Sequence, residues 1–279
     1  MSKMSINTDC LLFDHRRTWG PKPKYDRVSS YDIKSPYDLI SISGPCSVES
    51  VEQINEIAKL VKEYGATHLR GGVYRAGTYP GQSFGLVDID LVRSFHEASI
   101  HNEIPNIIEL LDVRLIDRLY PYADCFQVGC RQMQNYSLLR ELGNTDKPVF
   151  LKRHPGSTLD EFLGAAEHLL INGTCKPILI ERGSSTHANH VRWDLSISMI
   201  PAIKKITKIP VICDASHGTG RRDLVEPMAL AGIAAGADGV LIEVHTNPYK
   251  SLSDADQAIF PDEFKSIMSK IVKVRSAIQ

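Results

Sequence analysis

Short apolar runs and amphipathic segments alternate along the chain from Asp38 onwards. The apolar runs are typical of buried strands and lie near residues 38–44, 67–73, 105–110, 124–128, 147–151, 177–181, 210–213 and 239–244. Helical patterns lie between them, near residues 50–64, 88–102, 113–121, 132–142, 158–172, 192–206, 221–236 and 262–276. Since no hairpin signal interrupts this alternation, the eight βα units favour a closed (β/α)8 TIM barrel over an open doubly wound sheet.

Residues 1–37 do not follow this alternation. They contain one strand-like run, Cys10–Phe13, followed by glycine and prolines among charged residues, which indicates an arm or hairpin. We therefore predict an N-terminal arm over residues 1–37 and a catalytic barrel over residues 38–279. At 279 residues and 43% hydrophobic composition, the chain can bury one large α/β core. The arm and the single helix after Phe264 are expected to be too short for a fused regulatory domain.

The overall charge is almost balanced, with 32 Lys and Arg residues against 33 Asp and Glu residues. A balanced chain has no global field for nucleic acid or a membrane surface, so an anionic ligand must be held by local basic residues. No apolar run approaches the roughly 18 residues that span a bilayer, and the N-terminus lacks a signal-peptide core. The six cysteines show neither CxxC spacing nor disulfide-scaffold density, so we expect a protein of the reducing cytoplasm.

Four potential metal ligands follow strands of the predicted barrel. His217 follows the strand at 210–213, Glu243 ends the next one, and Asp254 lies in the loop after it. In a closed barrel the first strand neighbours the eighth, so Cys46, after the first strand, comes beside Glu243. A Cys, His, Glu and Asp set suits a divalent transition metal such as Mn, Fe, Co or Zn. Each residue taken alone is more often a small core filler or a solvated loop residue, so the prediction rests on their joint placement.

Basic residues recur at the ends of other strands. Repeated Lys and Arg at the carboxyl ends of barrel strands do not serve core packing, because such side chains are rarely buried without partners. Guanidinium groups suit phosphate and carboxylate oxygens, so the pattern predicts a polyanionic ligand. The alternative is scattered surface charge, which explains any single residue but not the whole set. The residues are Arg70, Arg131, Lys152, Arg153 and Arg182.

Several motifs together resemble the family of 3-deoxy-7-phosphoheptulonate (DAHP) synthases, in the short type I branch that is shared with 3-deoxy-octulosonate 8-phosphate synthases. The resemblance covers about residues 40–264. It is specific because the motifs occur together, whereas any one alone is weak. They are GPCSVES (44–50), LRGG (69–72), QVGCRQMQN (127–135), KPVFLKR (147–153), ERG (181–183), DASHGTGRRDLV (214–225) and IEVHTNP (242–248) with SLSD (251–254).

The resemblance implies an aldol-type condensation between phosphoenolpyruvate and a sugar-like aldehyde, in the shikimate pathway of aromatic amino acid biosynthesis. It also implies a (β/α)8 barrel, a required divalent metal and a homo-oligomer, either a dimer or a tetramer. By motif match, the family's metal ligands fall on Cys46, His217, Glu243 and Asp254. The phosphoenolpyruvate-binding positions fall on Arg70, Arg131, Lys152 and Arg182.

The predicted acceptor side departs from the family pattern. Where the family has a Lys-Pro-Arg-Thr-Ser loop, this chain has Arg75, Ala76, Gly77, Thr78 and Tyr79. Arg75 and Thr78 remain candidate substrate ligands, although an Arg has too high a pKa to be a ready proton donor. Gly77 and Ser185 stand where the family has two acceptor-binding arginines, so erythrose 4-phosphate is in doubt as the acceptor. His187, His190 and Arg192 could form a different acceptor pocket, or be ordinary loop residues.

The implied mechanism assigns three candidate catalytic residues. Lys152 and His217 are candidates for moving protons, and the sequence does not choose between them. Glu109, at the end of NIIEL, resembles the family's acid near the attacking water, or is a structural carboxylate. Two alternative functions stay open: a metal-dependent hydrolase or lyase on the same barrel, and a non-catalytic phosphosugar-binding barrel.

Overall fold

The computed structural model describes residues 39–74, 89–171 and 175–278. Within these residues eight parallel strands form a closed barrel in sequence order, and β1 pairs with β8 from Ile40 opposite Gly239 to Gly44 opposite Glu243. This confirms the predicted barrel. The strands are β1 (Ile40–Gly44), β2 (His68–Arg70), β3 (Asn106–Leu110), β4 (Cys125–Val128), β5 (Pro148–Lys152), β6 (Lys176–Glu181), β7 (Val211–Asp214) and β8 (Gly239–Glu243).

Helices follow the strands and cover the outside of the barrel. They are α1 (Val51–Glu63), α2 (Ile89–His101), α3 (Ile116–Leu119), α4 (Tyr136–Gly143), α5 (Leu159–Leu170), α6 (Met199–Ile206), α7 (Ala215–Thr219), α8 (Arg222–Ala234) and α9 (Pro261–Ile278). Short 3-10 turns lie at Val113–Leu115, Tyr120–Tyr122, Cys130–Gln132 and Pro248–Lys250. None of the helices in the described ranges is long and apolar enough to cross a membrane.

Two apolar layers hold the barrel together. The interior is filled by side chains from strands on all sides, which include Ile42, Phe150 and Leu241. The larger layer lies between the strands and the helices, where α1 buries Ile54 and Val61 on one face. The 3.6-residue repeat of a helix brings these positions to the same side, which explains the amphipathic pattern in the sequence. Both layers fix the strands, and the strand ends in turn carry the site.

The helix predicted near residues 192–206 is wrong over its first half, because α6 begins at Met199. Backbone groups of Asp194 exchange hydrogen bonds with those of Ser184, at 2.8 and 3.0 Å, in an antiparallel bridge. A residue that bonds a distant segment in this way cannot also supply the local bonds of a helix. The bridge therefore folds residues 184–194 back over the end of β6.

The loop predicted after β7 contains a short helix, α7, that the sequence reading missed. The Asp214 side chain accepts a hydrogen bond from the backbone nitrogen of His217 at 3.0 Å and caps the helix. Asp is among the preferred N-cap residues because its carboxylate satisfies a free backbone donor. The cap places His217 directly above the end of β7. The predicted arm over residues 1–37 lies outside the described residues and stays a prediction.

Candidate active site

A cavity of about 710 Å³ opens at the carboxyl ends of the strands. In α/β barrels this end carries the chemistry, because loops from all eight strands meet there. Its wall includes most of the predicted site residues. They are Cys46, Arg70, Glu109, Arg131, Lys152, Arg182, His217 and Asp254.

Four basic side chains reach the cavity from four different strands. Arg70 ends β2 and Lys152 ends β5, and each is only 5% exposed. Arg182, directly after β6, is 3% exposed, whereas Arg131 in the turn after β4 is exposed and lines the opening. Arg70 and Lys152 have carboxylate partners in Glu243 and Asp214, whereas the buried Arg182 keeps donors that an anion in the cavity can use.

Arg182 has open hydrogen-bonding capacity. Its Nη2 donates to the carbonyl oxygen of His217 at 3.3 Å, but Nε and Nη1 are buried and have no hydrogen-bond partner among the described residues. The Trp193 ring lies 5.2 Å from the guanidinium carbon, which holds the flat group against an aromatic face. Burial lowers the pKa of Arg182 from its ordinary value. Two buried donors without partners are what a bound anion would satisfy.

Three of the predicted metal ligands form one group. One ligand atom from each of Cys46, Glu243 and Asp254 lies within 4.8 Å of the others. The Cys46 thiol donates to Asp254 Oδ2 at 3.0 Å. Burial, followed by the negative charges of Glu243 and Asp254, raises the pKa of Cys46 well above its ordinary value.

His217 lies beside this group, with its Nε2 3.1 Å from Glu243 Oε1. The other ring nitrogen, Nδ1, lies 2.9 to 3.0 Å from the Asp214 carboxylate. A metal-binding His is commonly oriented in this way, by a carboxylate on the ring nitrogen that does not bind the metal. Burial lowers the pKa of His217, but Asp214 and then Glu243 outweigh it and raise that pKa.

This group fits a divalent transition metal. Ligands that bind one ion at about 2.0–2.3 Å lie up to roughly 4.6 Å apart, and the ligand atoms of Cys46, Glu243 and Asp254 all lie within 4.8 Å of one another. Sulfur, nitrogen and carboxylate oxygens together suit Mn, Fe, Co or Zn better than Mg or Ca. Glu243 is held in place beforehand, because Arg70 Nη1 donates to its Oε1 and Gln257 Nε2 donates to its Oε2 at 2.6 Å.

Lys152 and His217 share the buried carboxylate of Asp214. Lys152 Nζ lies 3.1 Å from Asp214 Oδ2 and 3.4 Å from His217 Nδ1. Although burial opposes it, His217 and Lys152 hold the pKa of Asp214 well below its usual range. The two candidate proton carriers are therefore linked through one ionised group. The sequence reading left Asp214 out, although its place at the end of β7 was a usable signal.

Glu109 faces the cavity from β3, and its Oε2 accepts a hydrogen bond from Gln127 Nε2 at 3.3 Å. Gly129 leaves the space for this side chain. A Cβ atom at position 129 would lie 2.1 Å from Glu109 Oε1. Since no real contact is that short, any larger residue there would displace the Glu109 carboxylate.

Arg153 lies behind the cavity, not in its wall. Its Nε and Nη2 donate to the two carboxylate oxygens of Glu181 at 2.5 and 2.8 Å, and Nη2 also donates to Ser184 Oγ at 2.7 Å. Nη1 donates to the carbonyl oxygen of Ser157 at 3.0 Å, and the side chain is 1% exposed. The donors of Arg153 are directed at the protein and brace the ends of β5 and β6, and a contact between Arg153 and a substrate stays a prediction.

The acceptor side is only partly described. Arg75 and Thr78, like Gly77, lie outside the described residues. Ser185 and Arg192 line the cavity, and Arg192 Nη1 lies 3.5 Å from Asp254 Oδ1. His187 and His190 are exposed and are not part of the cavity wall, within the ranges that the structure describes.

Three aromatic or imidazole side chains of the wall were missed by the sequence reading: Tyr74, His154 and Trp193. The Tyr74 hydroxyl accepts a hydrogen bond from the backbone nitrogen of Leu111 at 2.8 Å, and burial raises the pKa of Tyr74. Trp193 reaches the wall because residues 184–194 fold back over β6. No sequence pattern signals that turn, and its last residues, 192–194, are predicted to begin a helix.

Comparison with known proteins places this chain in a family. The sequence model of the DAHP synthetase I family matches residues 33–279. A phospho-2-dehydro-3-deoxyheptonate aldolase of Thermotoga maritima is 40% identical over 262 residues, which are 94% of this chain and 77% of that protein. A 2-dehydro-3-deoxyphosphooctonate aldolase of Desulfotalea psychrophila is 27% identical over 270 residues, which are 88% of this chain and 93% of that protein.

Solved structures give the same result. The crystal structure of the DAHP synthase of Thermotoga maritima is 38% identical, with a TM-score of 0.82 over 86% of this chain and 70% of that one. A truncated form of the 3-deoxy-D-arabino-heptulosonate 7-phosphate synthase of the same organism has a TM-score of 0.79 at 38% identity, over 86% of this chain and 87% of that one. These findings confirm the resemblance that the motifs carry.

Proposed function

The chain belongs to the DAHP synthetase I family, and we propose that it condenses phosphoenolpyruvate with an aldose or aldose phosphate. The products are a 3-deoxy-2-keto sugar acid and phosphate. One observation carries the proposal: Arg182, which has two open donors, and Cys46 and Asp254 of the Cys–Glu–Asp group line one cavity of about 710 Å³. A condensation between an anionic donor and a carbonyl acceptor needs both.

The basic residues bind the donor. Phosphoenolpyruvate carries a phosphate and a carboxylate, and Arg131, Lys152 and Arg182 supply cations around one face of the cavity. The unpartnered Nε and Nη1 of Arg182 can donate hydrogen bonds to two of the phosphate oxygens, which suits the fork of a guanidinium. Arg70 lies between the donor site and Glu243, to which it donates. Binding of this kind fixes C3 of the donor for attack on the aldehyde carbon.

The proposed ligands of a divalent transition metal are Cys46, His217, Glu243 and Asp254. When bound, such an ion supplies Lewis acidity toward the carbonyl oxygen of the acceptor. Arg70 and Gln257 hold Glu243, and Asp214 holds His217, so the protein sets the ligand geometry through its own contacts. The identity of the ion stays a prediction among Mn, Fe, Co and Zn.

Proton transfer falls to residues around Asp214. C3 of the donor forms a bond to the aldehyde carbon, and the aldehyde oxygen takes up a proton. Water then adds at C2 and loses a proton, and the C2–O bond to phosphate breaks as the remaining hydroxyl becomes the 2-keto group. Lys152 Nζ and His217 Nδ1 lie 3.1 and 2.9 Å from Asp214 Oδ2. The Asp214 carboxylate can therefore stabilise either side chain in its protonated, positively charged form between two proton transfers. Glu109 lines the cavity from β3, which supports the proposal that it orients the water.

The acceptor is the least determined component. Ser185 offers a short hydroxyl to the cavity where the family has an arginine, and Arg192 and Trp193 stand nearby in the same wall. We propose that the enzyme prefers an acceptor other than erythrose 4-phosphate. A homo-oligomeric state and a cytoplasmic location also stay predictions.

The test is turnover with a panel of aldoses. The purified protein is given Mn²⁺, phosphoenolpyruvate and one aldehyde at a time, with erythrose, arabinose and ribose each compared with its terminal phosphate ester. We expect one phosphate to be released and one keto acid to be formed per phosphoenolpyruvate consumed, and only when an aldehyde is present. Phosphate release that does not need an aldehyde would contradict the condensation, and a hydrolase or lyase of the alternative kind would leave phosphoenolpyruvate unconsumed. Binding of phosphoenolpyruvate without turnover of any aldose would establish a binding protein.

A further inference from the structure

Two loops carry the metal ligands that are farthest apart in the sequence. Cys46 lies in the loop between β1 and α1, and Asp254 lies in the loop between β8 and α9. We propose that Glu49 is a positioning residue that joins these loops and so sets the separation between Cys46 and Asp254. The proposal rests on the proposed function, because it assumes that these two residues bind a metal.

Glu49 crosses from one loop to the other. Its Oε1 accepts a hydrogen bond from the backbone nitrogen of Leu252 at 2.8 Å, two residues before Asp254. The same oxygen lies 3.5 Å from the hydroxyl of Ser251, which donates to it. The side chain is 17% exposed, so this carboxylate is largely removed from water while it holds the second loop. Glu49 is three residues after Cys46 in the sequence. Its side chain therefore links the loop that carries Cys46 to the loop that carries Asp254.

His245 supports the same carboxylate from the end of β8. The backbone nitrogen of Asn247 donates to His245 Nδ1 at 2.9 Å, and Gln53 Nε2 lies 3.0 Å from His245 Nε2. That nitrogen lies 3.4 Å from Glu49 Oε2. The imidazole is 5% exposed, and it is oriented by the fold and not by solvent. Glu49 thus bridges the start of the β8 loop and the residues just before Asp254.

A second contact joins the loops at the residues next to the ligands. The hydroxyls of Ser47 and Ser253 lie 2.6 Å apart, and both side chains are buried. Ser47 follows Cys46 and Ser253 precedes Asp254. Two independent contacts at adjacent positions leave little freedom in the distance between the ligand atoms.

The backbone conformation of Asp254 shows why contacts between the two loops are needed. Its φ is +51°, in the left-handed region that residues with a Cβ atom rarely adopt. A conformation of this kind persists only where the surroundings fix it, and it is common at ligand sites. The Asp254 carbonyl oxygen accepts from the backbone nitrogens of Gln257 at 3.2 Å and Ala258 at 3.3 Å on one side. The contacts of Glu49 and Ser253 hold the other side.

The experiment measures metal affinity, not turnover. Apo protein is titrated with Co²⁺, and the charge-transfer absorption of a Cys thiolate bound to cobalt reports occupancy of the Cys46 site. We expect Glu49→Ala to weaken Co²⁺ binding by roughly 10- to 100-fold, the range typical when a residue that orients metal ligands is lost. Glu49→Gln, which keeps an acceptor for Leu252, should recover most of that loss. Ser253→Ala should weaken binding by a smaller factor.

Asp238→Ala is the matched control. Asp238 Oδ2 likewise accepts a backbone hydrogen bond across two segments, from Val211 at 2.8 Å, but it does so before β8, at the opposite end of the barrel. It should lower the melting temperature and leave Co²⁺ affinity unchanged. If Glu49→Ala and Ser253→Ala bind Co²⁺ as the wild type does, the proposal is overturned even where their melting temperatures fall.

Two further outcomes are distinct. A wild-type protein that binds no Co²⁺ would overturn the metal site of the proposed function and this inference with it. Should Glu49→Ala fail to fold, Ser253→Ala decides the matter alone, because it removes one hydroxyl next to Asp254. Wild-type Co²⁺ affinity in Ser253→Ala would then overturn the proposal that contacts between the two loops set the metal site.

Discussion

The two sides of the cavity differ in how far the protein satisfies their charges. On the side of β7, β8 and the β1 loop, Glu243 accepts from Arg70 and Gln257, and Cys46 donates to Asp254. On the side of β6, two buried nitrogens of Arg182 have no hydrogen-bond partner within the described ranges. On the first side the charged groups have partners within the protein. On the second side the buried donors are available to a bound ligand.

This difference has an energetic consequence. Each buried polar group without a partner costs about 1–3 kcal/mol, so the open donors of Arg182 destabilise the ligand-free protein. An anion that satisfies them recovers this cost on binding. The carboxylates of the metal side are already compensated by Arg70 and His217, so their geometry should survive removal of the metal. Removal of the metal and removal of the anion should therefore affect the two sides of the cavity differently.

The largest expected effect is that of metal removal. We expect a chelator to abolish turnover, because the acceptor carbonyl loses its Lewis acid, while phosphoenolpyruvate still binds to the basic side. Activity assays and calorimetry on the same chelated sample separate the two effects. Added Mn²⁺ or Co²⁺ should restore turnover, and Cys46→Ala should need much more metal than the wild type. Undiminished turnover in metal-free Cys46→Ala protein would contradict the assignment of this site.

The second effect is loss of donor binding in Arg182→Ala. Truncating one partner of a buried charge pair costs about 2–5 kcal/mol, so we expect affinity for phosphoenolpyruvate to fall by roughly 30- to several thousand-fold. Calorimetry with phosphoenolpyruvate measures this directly, and Co²⁺ affinity should not change. Arg275→Ala is the control, because Arg275 donates to the carbonyl oxygen of Ala237 before β8 and is remote from the cavity. Wild-type affinity in Arg182→Ala would show that the donor binds elsewhere.

Much of the site could be predicted because a closed barrel fixes which strand ends meet. Cys46 and Glu243 were placed side by side from their strands alone, and the pairing of Gly44 with Glu243 gives the reason. Side-chain direction was harder to predict. Lys152 and Arg153 are consecutive, and alternation along a strand turns one toward the cavity and the other behind it. The sequence reading gave both residues the same role.

Irregular segments were the second limit. Trp193 enters the wall because Asp194 bonds to Ser184 across a turn, and a contact between distant backbone groups leaves no periodic trace in the sequence. The apolar spacing after residue 192 suggested a helix instead. Asp214 was missed for another reason, since a strand-end carboxylate was visible but its role as the cap and partner of His217 depends on α7. Local pattern reading finds elements well and finds contacts between loops poorly.

The smallest expected effect is a change in how the enzyme uses its aldehyde acceptor. It tests whether the cavity wall at Ser185 lacks a contact to the acceptor's phosphate. Ser185 is exposed and lines the cavity, so an arginine can be introduced there without disturbing a packed core. Each charge-assisted contact to phosphate is worth about 1.5–3 kcal/mol. We therefore expect Ser185→Arg to raise kcat/KM for erythrose 4-phosphate by roughly 10- to 150-fold, and to leave the KM for phosphoenolpyruvate unchanged.

Thr186→Arg is the matched control, because it adds the same charge one residue away at an exposed position outside the cavity wall. A similar gain in both variants would indicate general attraction of the anion and not a new contact. The comparison also depends on the wild type. If the wild-type enzyme already uses erythrose 4-phosphate as its best acceptor with a micromolar KM, another cation such as Arg192 compensates for Ser185, and our interpretation of the acceptor side is wrong. The double variant Ser185→Arg with Arg192→Ala then shows which of the two arginines holds the phosphate.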